Sequence, residues 1–337
     1  MDTSLAQVRR TLPVEVLELI CQDIEQNDFP PVLRANSTLY SIAVRVLYRN
    51  IPQLPVARSI AFLKAMDRNT TLTTFVHDLF VDWSSYHVTG NLLRLLRRVL
   101  RQLKNLRFLS IELSPRDNLA SHAWIFVDGP YKLRTFATST RCDNALAHVL
   151  EQQPLIYELS LRGFQTNLPF RLSSTALPRL NSFRCTHADT SVITEVIRGR
   201  PVEGISISLF ADEGFEPLDT LRLTSTPLKR LTLMALDEIP ATKILTQVAM
   251  RASQLEALHI VVLLSHYTSE GLMEAGPMLS SFKELRYITV MGGLGVDLTN
   301  DQQIAKEWHK HCKTLKTIIL PKGQVWFERD GEWGCCL

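Results

Sequence analysis

The chain has 337 residues, of which 45% are apolar and 21% are charged, and its formal net charge at pH 7 is +3. This balance is typical of a soluble globular protein and gives no support for a basic nucleic-acid-binding chain. The longest apolar run, residues 260–264, is too short to cross a bilayer, and the first ten residues lack the apolar stretch of a secretory signal. We therefore expect an intracellular protein, cytoplasmic or nuclear, with no membrane span.

The first predicted element is a helix that opens at Pro13. Proline suits the first turn, where its missing N–H would have no intrahelical partner. Val16, Leu17 and Ile20 then recur at helical spacing and form one apolar stripe. The sequence predicts that this helix continues to residues 27–28.

Two further short helices are predicted before residue 50. Asp28 is placed to cap a helix that begins at Phe29, and Ser37 to cap a third helix with an apolar face between Leu39 and Leu47. Three helices in fewer than about 40 residues have too little interior to bury all their apolar faces. Some apolar surface is therefore expected to remain for a partner.

This N-terminal segment resembles an F-box. The matching residues are Leu12, Pro13, Glu15, Val16, Leu17, Ile20, Asp28, Phe29, Leu33, Leu39, Ala43, Leu47, Tyr48 and Arg49. The resemblance implies an F-box-like helical module over residues 8–51 that docks on a Skp-type adaptor and so on a cullin-RING ubiquitin ligase. It also implies that the adaptor contact is made by Leu12, Pro13, Val16, Leu17 and Ile20. An N-terminal helical cap on a repeat array is the alternative interpretation.

Downstream of residue 70 one pattern recurs, a hexad in which the first, fourth and sixth positions are apolar, apart from Thr138 at the sixth position of one copy. Its ten copies begin at Val76, Leu106, Leu133, Ile156, Leu180, Val202, Leu228, Leu255, Leu285 and Leu315. Successive copies are about 27 residues apart, a spacing typical of leucine-rich repeats. We assign residues 52–72 to a helical linker or cap, 73–322 to the repeat array, and 323–337 to a C-terminal cap or tail.

Five of the ten hexads are followed by a segment with clear helical character. These segments are residues 91–103, 144–151, 191–198, 241–252 and 301–312. A strand and a helix alternating at this spacing predict an α/β fold, a curved, leucine-rich-repeat-like solenoid of about ten irregular repeats with a parallel inner sheet. The resemblance described above adds a three-helix F-box-like module before this solenoid. The array is irregular because the Asn or Cys expected at the ninth position is missing from every copy.

Strand periodicity of two places the third, fifth and seventh hexad positions on the concave face. This face is expected to be acidic in the first repeats, basic in the middle and aromatic or aliphatic at the end, with the residues Asp78, Phe80, Asp82, Phe108, Glu112, Glu158, Arg162, Arg184, Arg230, His259, Tyr287 and Met291. Arginine and tyrosine are common interface anchors, and arginine clusters suit phosphorylated or acidic segments. The predicted substrate-binding residues are Arg162, Arg184, Arg230, His259 and Tyr287.

The remaining sequence motifs give weaker evidence of function. The four arginines of residues 94–101 form a basic stripe that we interpret as a solvated helix face, although a nucleic-acid or membrane binder acting through this stripe is a third hypothesis. His309 and Cys312 lack the further ligands of a zinc site. The six cysteines follow no disulfide framework, and Cys335-Cys336 is not a prenylation box. We predict no metal and no cofactor.

No recognisable catalytic motif is present, so the sequence predicts a non-catalytic protein. The leading hypothesis is a substrate-recognition subunit of an SCF-type ubiquitin ligase, in which the N-terminal module docks the adaptor and the array holds an unknown target protein. We expect a monomer within that complex. The alternative is a leucine-rich-repeat-type scaffold or inhibitor that binds proteins without any ligase function.

Overall fold

The computed structural model describes residues 12–116, 121–163, 169–187, 189–210, 214–293, 300–329 and 331–336. Residues 8–11 of the predicted N-terminal module therefore lie outside the described residues. The chain has a mixed α/β architecture built on one sheet of 13 strands in the order in which they occur in the sequence. Every pairing from the first strand to the eleventh is parallel, and the last two strands are antiparallel.

Three helices precede the sheet. They are α1 (Val14–Gln22), α2 (Phe29–Ala35) and α3 (Ser37–Arg49). The predicted extension of α1 to residues 27–28 was wrong, because the chain leaves the helix at Asp23 and becomes extended at Glu25. Asp28 is the N-cap residue of α2 as predicted, but the predicted cap of α3 was wrong. Asp28 makes no capping bond, and Asn36, whose backbone is extended, accepts the N–H of Leu39 at 2.8 Å where Ser37 was expected to do so.

The strands follow at regular intervals. They are β1 (Asn50–Ile51), β2 (Asp78–Trp83), β3 (Phe108–Leu113), β4 (Thr135–Thr138), β5 (Glu158–Leu161), β6 (Ser182–Cys185), β7 (Gly204–Leu209), β8 (Arg230–Ala235), β9 (Ala257–Val262), β10 (Tyr287–Gly292), β11 (Thr317–Ile319), β12 (Val325–Arg329) and β13 (Glu332–Cys336). Each of the ten hexads has its central apolar residue on one of the strands β2 to β11. The hexads therefore mark the parallel strands.

Helices connect most of these strands. They are α4 (Val56–Arg68), α5 (Thr70–Thr73), α6 (Gly90–Leu100), α7 (Asn144–Glu151), α8 (Thr190–Ile197), α9 (Glu216–Asp219), α10 (Ala241–Ala249), α11 (Ser269–Glu274) and α12 (Asp301–His311). Their apolar sides pack with alternate strand residues into one continuous core, in which Leu79, Leu96 and Ile260 are fully buried. Among the described residues, most of the strand residues on the opposite face of the sheet are partly or fully exposed. We call the other face the open face.

The sequence did not predict the two ends of the sheet. β1 has only two residues and pairs with β2 through Asn50 opposite Asp78. At the other end, where only a cap or tail was expected, β12 and β13 form an antiparallel hairpin on β11. Trp333 of this hairpin is buried against the ring of His309 on α12. The hairpin thus covers the last core residues of the array.

Candidate functional site

The N-terminal helices form a small core of their own. Cys21 and Phe29 are buried against Ile42 and Ala43 of α3, and Leu17 is half-buried on the same cluster. Burial also raises the pKa of the Cys21 thiol. This core is separate from the main core of the sheet. The helices therefore have an interior of their own and do not lie flat on the first strands.

The other side of α1 exposes apolar residues to solvent. Leu12, Ile20 and Leu19 are 55%, 49% and 61% exposed, and Pro13 and Val16 are exposed as well. Four of the five residues predicted to contact the adaptor thus lie at the surface, whereas Leu17 points into the small core. Leu19 was missed, although it continues the exposed surface three residues after Val16. Isolated apolar residues on a surface are ordinary, but a contiguous set on one helix indicates a binding surface.

A short junction with an aromatic contact links the helical module to the sheet. α3 runs directly into β1, and the ring of Tyr48 stacks on that of Phe62 in α4 at 6.5 Å between centroids. Beside this junction lies a cleft of about 620 Å³ whose lining includes Phe29, Asn50 and Asp78. Since Asn50 and Asp78 are paired on the open face, the module borders the N-terminal edge of that face.

Across the middle strands, the pairing places one residue per strand in a continuous row on the open face. This row, which we call the central row, contains Phe80, Ser110, Ala137, Ser160, Arg184, Ser206, Thr232, His259 and Thr289. Five of its nine residues carry hydroxyl groups. The period-two pattern of the hexads predicts this row, but its small hydroxyl residues carry no charge or aromatic ring that would mark them as binding residues.

The acidic end of the open face is partly engaged by the chain itself. The Asp82 carboxylate accepts the Gln53 side chain at 2.7 Å. The rings of Phe80 and Phe108 lie 4.3 Å apart between centroids and form a small aromatic surface. This end therefore offers an aromatic pair beside carboxylates.

Arg162 differs from the other predicted arginines because it already has an acidic partner. Its guanidinium donates to the Glu112 carboxylate at 2.6 Å, and both side chains are about one-third exposed. The pair neutralises the formal charge of Arg162. The structure places Arg162 on the open face as predicted, but as half of an ion pair.

Arg184 and Arg230 provide the positive charge in the middle of the open face. Arg184 is exposed on β6, and among the described residues it has neither a hydrogen bond nor an ion pair. Arg230, two strands away, lies over Gly204, where a Cβ atom would sit 3.4 Å from its Nε and Nη2. Among the described residues, its guanidinium donates one hydrogen bond, to the Asn181 side chain at 3.4 Å. Gly204 thus leaves the room in which this guanidinium lies.

His259 and Tyr287 lie beyond the arginines, on β9 and β10. The Nδ1 atom of His259 is 2.9 Å from the hydroxyl of Thr289, and burial lowers the pKa of the imidazole. The ring of Tyr287 is half-exposed. All five predicted substrate residues therefore lie along one face, but only Arg184 and Arg230 form a local group.

An apolar strip follows at the ends of β8 to β10, and of its residues the sequence analysis named only Met291. Met234, Val261 and Met291 are opposite one another in the register, and Leu236 and Leu263 extend the strip past the strand ends. The period-two rule predicts Met234 and Val261 at these positions, so the signal was present in the hexads. We call these five residues the apolar strip.

The basic stripe of α6 is engaged by neighbouring side chains. Arg98 forms a two-point contact with Asp67, and this guanidinium lowers the pKa of the Asp67 carboxyl. Arg97 lies 3.6 Å from Asp128 and over the ring of Trp124. The described ranges contain no cluster of three or more possible metal ligands, and none of their helices is both long and apolar enough to cross a bilayer.

Comparison with known proteins adds no family assignment. The chain matches no protein-family model, and no curated protein matches it. The functional interpretation therefore depends on the geometry of the two surfaces.

Proposed function

We propose that this chain is a non-catalytic substrate receptor of an SCF-type cullin-RING ubiquitin ligase. In this proposal the N-terminal helices are an F-box-like module, and strands β2 to β11 are about ten irregular leucine-rich-repeat-like units. The observation that carries the proposal is the exposed apolar surface of α1, formed by Leu12, Val16, Leu19 and Ile20, on a module whose own core is already filled. Such a receptor acts in the cytoplasm or nucleus.

The proposed mechanism is proximity. The module binds a Skp-type adaptor, which links the chain to a cullin, while the open face holds a target protein. The target lysines are then kept at a high effective concentration near a ubiquitin-charged enzyme elsewhere in the complex. No group of this chain takes part in bond formation, and no cofactor is required.

The first test measures binding of the purified full chain to a Skp-type adaptor. The variant Val16→Asp, Ile20→Asp puts two charges on the exposed side of α1 and leaves Leu17, which packs inside, unchanged. We expect binding to weaken at least about 100-fold, because central apolar contacts of an interface each contribute about 2 kcal/mol or more. Calorimetric titration gives the affinity, and circular dichroism checks that the variant is folded.

The matched control is Met250→Asp, which makes the same kind of change at a residue that is 64% exposed next to α10. It should bind the adaptor like the wild type. A folded wild-type chain that does not bind the adaptor, or equal losses in both variants, would rule out the ligase proposal.

A second candidate function is a protein-binding scaffold or inhibitor without ligase connection. It is favoured by the direct passage of α3 into β1 and by the packing of Tyr48 on the main core, which are features of a helical cap on a repeat array. This candidate predicts that the Val16→Asp, Ile20→Asp variant keeps every binding activity of the open face. A chain that binds targets but no adaptor would support it.

A further inference from the structure

A further row of side chains lies at the edge of the sheet where the parallel strands begin. Its members each precede the first paired residue of a strand, and backbone hydrogen bonds of 2.7–2.9 Å join each member to the next. This row, which we call the edge row, runs in the order Arg49, His77, Arg107, Arg134, Tyr157, Asn181, Glu203, Lys229, Glu256, Arg286 and Lys316. All of these residues are partly or fully exposed. The edge row therefore borders the open face without belonging to it.

The charges of the edge row differ between its two halves. In the later half acids and bases alternate, and Lys229 donates to the Glu203 carboxylate at 3.0 Å. Lys316 is bonded in the same way to Glu328 of β12. The first four members, by contrast, comprise three arginines, one histidine and no acid. Positive charge is thus balanced within the row only in its later half.

The first members of the row interact electrostatically with one another. The pKa of His77 is lowered by burial and then by the guanidinium groups of Arg49 and Arg107, and the Asp78 carboxylate opposes this shift. Arg49 also lies 4.0 Å from the Glu18 carboxylate of α1. The acids of neighbouring elements therefore act on the first two members of the row, where they offset part of the positive charge.

Arg107 and Arg134 are two exposed cations without a partner. Among the described residues, neither side chain has a hydrogen bond or an ion pair. They precede the adjacent strands β3 and β4, which are about 4.8 Å apart, and like charges on neighbouring strands repel each other. Lys104 and Lys132, exposed in the turns before these strands, add further positive charge. A negatively charged partner would relieve this repulsion.

The row is better suited to a short acidic segment than to a single phosphate or a nucleic acid. Its cations are spread along a line, one per strand, and the first four members span about 14 Å. An extended peptide covers this distance in about five residues. A nucleic-acid strand is charged at every nucleotide and takes a site of about 4–16 nucleotides. Glu203 and Glu256, further along the row, would repel its continuation.

We propose that the beginning of the edge row, centred on Arg107 and Arg134, binds a short acidic segment of a partner protein through its carboxylates. The guanidinium fork matches the two oxygens of a carboxylate, and the balanced later half of the row limits the length of the segment. This site is separate from the exposed side of α1 and from the open face. The proposal therefore does not depend on a ligase connection, and a scaffold would use the same site.

The test measures binding of labelled peptides to the purified full chain by fluorescence polarisation. One peptide carries a run of about five glutamates flanked by glycine and serine, and a matched peptide has glutamines at these positions. We expect only the glutamate peptide to bind at about 0.05 M salt, and its affinity to fall at about 0.15 M, where charges are screened over about 8 Å. Arg107→Gln and Arg134→Gln should each weaken binding by about threefold to fivefold, as expected for an exposed ion pair.

Charge reversal separates loss of the site from loss of the fold. The double variant Arg107→Glu, Arg134→Glu should lose the glutamate peptide and bind a matched lysine peptide more tightly than the wild type does. The matched controls are Arg286→Gln and Arg286→Glu, at an exposed arginine of the same row six strands after β4. This residue is about 29 Å from Arg134, beyond the screening length, so both controls should bind the glutamate peptide within about twofold of the wild type. Circular dichroism checks that every variant is folded.

Several outcomes would overturn the inference. These are no binding of the glutamate peptide by the folded wild type, equal binding of the glutamine peptide, and equal losses in the Arg107, Arg134 and Arg286 variants. A single-stranded uridine oligonucleotide of the same formal charge completes the comparison. If it bound more tightly than the glutamate peptide, and the Arg107 and Arg134 variants weakened that binding, the partner would be a nucleic acid and the proposal would be wrong.

Discussion

Leu17 and Ile20 lie three residues apart on α1, and both belong to the same apolar stripe in the sequence. α3 packs against one side of this stripe, so Leu17 is half-buried, whereas Ile20 is left half-exposed. Helical periodicity predicts which residues share a face, but the width of the face that is buried depends on the neighbouring helix. The exposed residues are therefore the ones to change when the adaptor surface is tested.

The environment of His259 predicts how the free energy of unfolding depends on pH. Burial lowers the pKa of its imidazole, so between that folded-state pKa and the unfolded value near 6.5 the unfolded chain binds more protons. The free energy of unfolding should therefore fall as the pH is lowered from 7.5 to 5.5. Urea denaturation at both pH values, compared between the wild type and His259→Asn, isolates this contribution.

The asparagine variant can retain a hydrogen bond to Thr289 but cannot become protonated. We expect the decrease in unfolding free energy between pH 7.5 and 5.5 to be smaller in this variant than in the wild type. His77 and His187 also have a lowered pKa, so part of the decrease should remain. An identical decrease in both proteins would show that His259 is not protonated differently on unfolding.

At the scale of elements, the sequence located the strands better than it located their ends and caps. Every hexad falls on a strand because one face of the sheet is covered by helices, which forces alternate residues to be apolar. β1 was not predicted because two residues are too few to show a periodicity. The C-terminal hairpin was not predicted because its apolar residues, such as Trp333, contact an element that is distant in sequence. The rows of the open face followed from the register, but the ion pair of Arg162 with Glu112 joins residues 50 positions apart and has no local signal.

A single arginine fixes the end of α8 and the segment before it. Arg200 is only 3% exposed, and its guanidinium donates to the carbonyls of Val196, Ala176 and Ser173 at 3.0, 2.7 and 2.9 Å. Desolvation lowers its pKa, but the acceptors include a carbonyl at the negative end of a helix. Arg200→Ala leaves these carbonyls without donors, and we expect it to reduce the free energy of unfolding by about 3 kcal/mol in urea titrations.

The neighbouring exposed residue offers the comparison for this change. Arg198→Ala removes an arginine side chain from the same end of α8 at a solvent-exposed position. Its unfolding free energy should stay within about 0.5 kcal/mol of the wild type. If both variants lost the same stability, the effect would come from charge near the helix end and not from the buried hydrogen bonds.

At the scale of the whole molecule, the two cores have very different sizes. The main core runs without interruption from Ile51 to Trp333, and every strand from β2 to β12 is paired with a neighbour on both sides. The core of the N-terminal helices consists of four buried residues in a segment of about 40, a size at which domains are marginally stable. The surface proposed to bind the adaptor and the surface proposed to bind the target therefore lie over cores of very different size.

We therefore expect the N-terminal helices to open at a lower urea concentration than the sheet. The cysteines report this directly, since Cys21 is buried in the small core while Cys142 and Cys312 are buried in the main one. Thiol labelling along a urea gradient, resolved by peptide mass spectrometry, should modify Cys21 while the other two are still protected. Coincident labelling of all three would show a single cooperative unit. Because a ligand stabilises the state that it binds, a saturating Skp-type adaptor should move the labelling of Cys21 alone to higher urea if the proposed docking is correct.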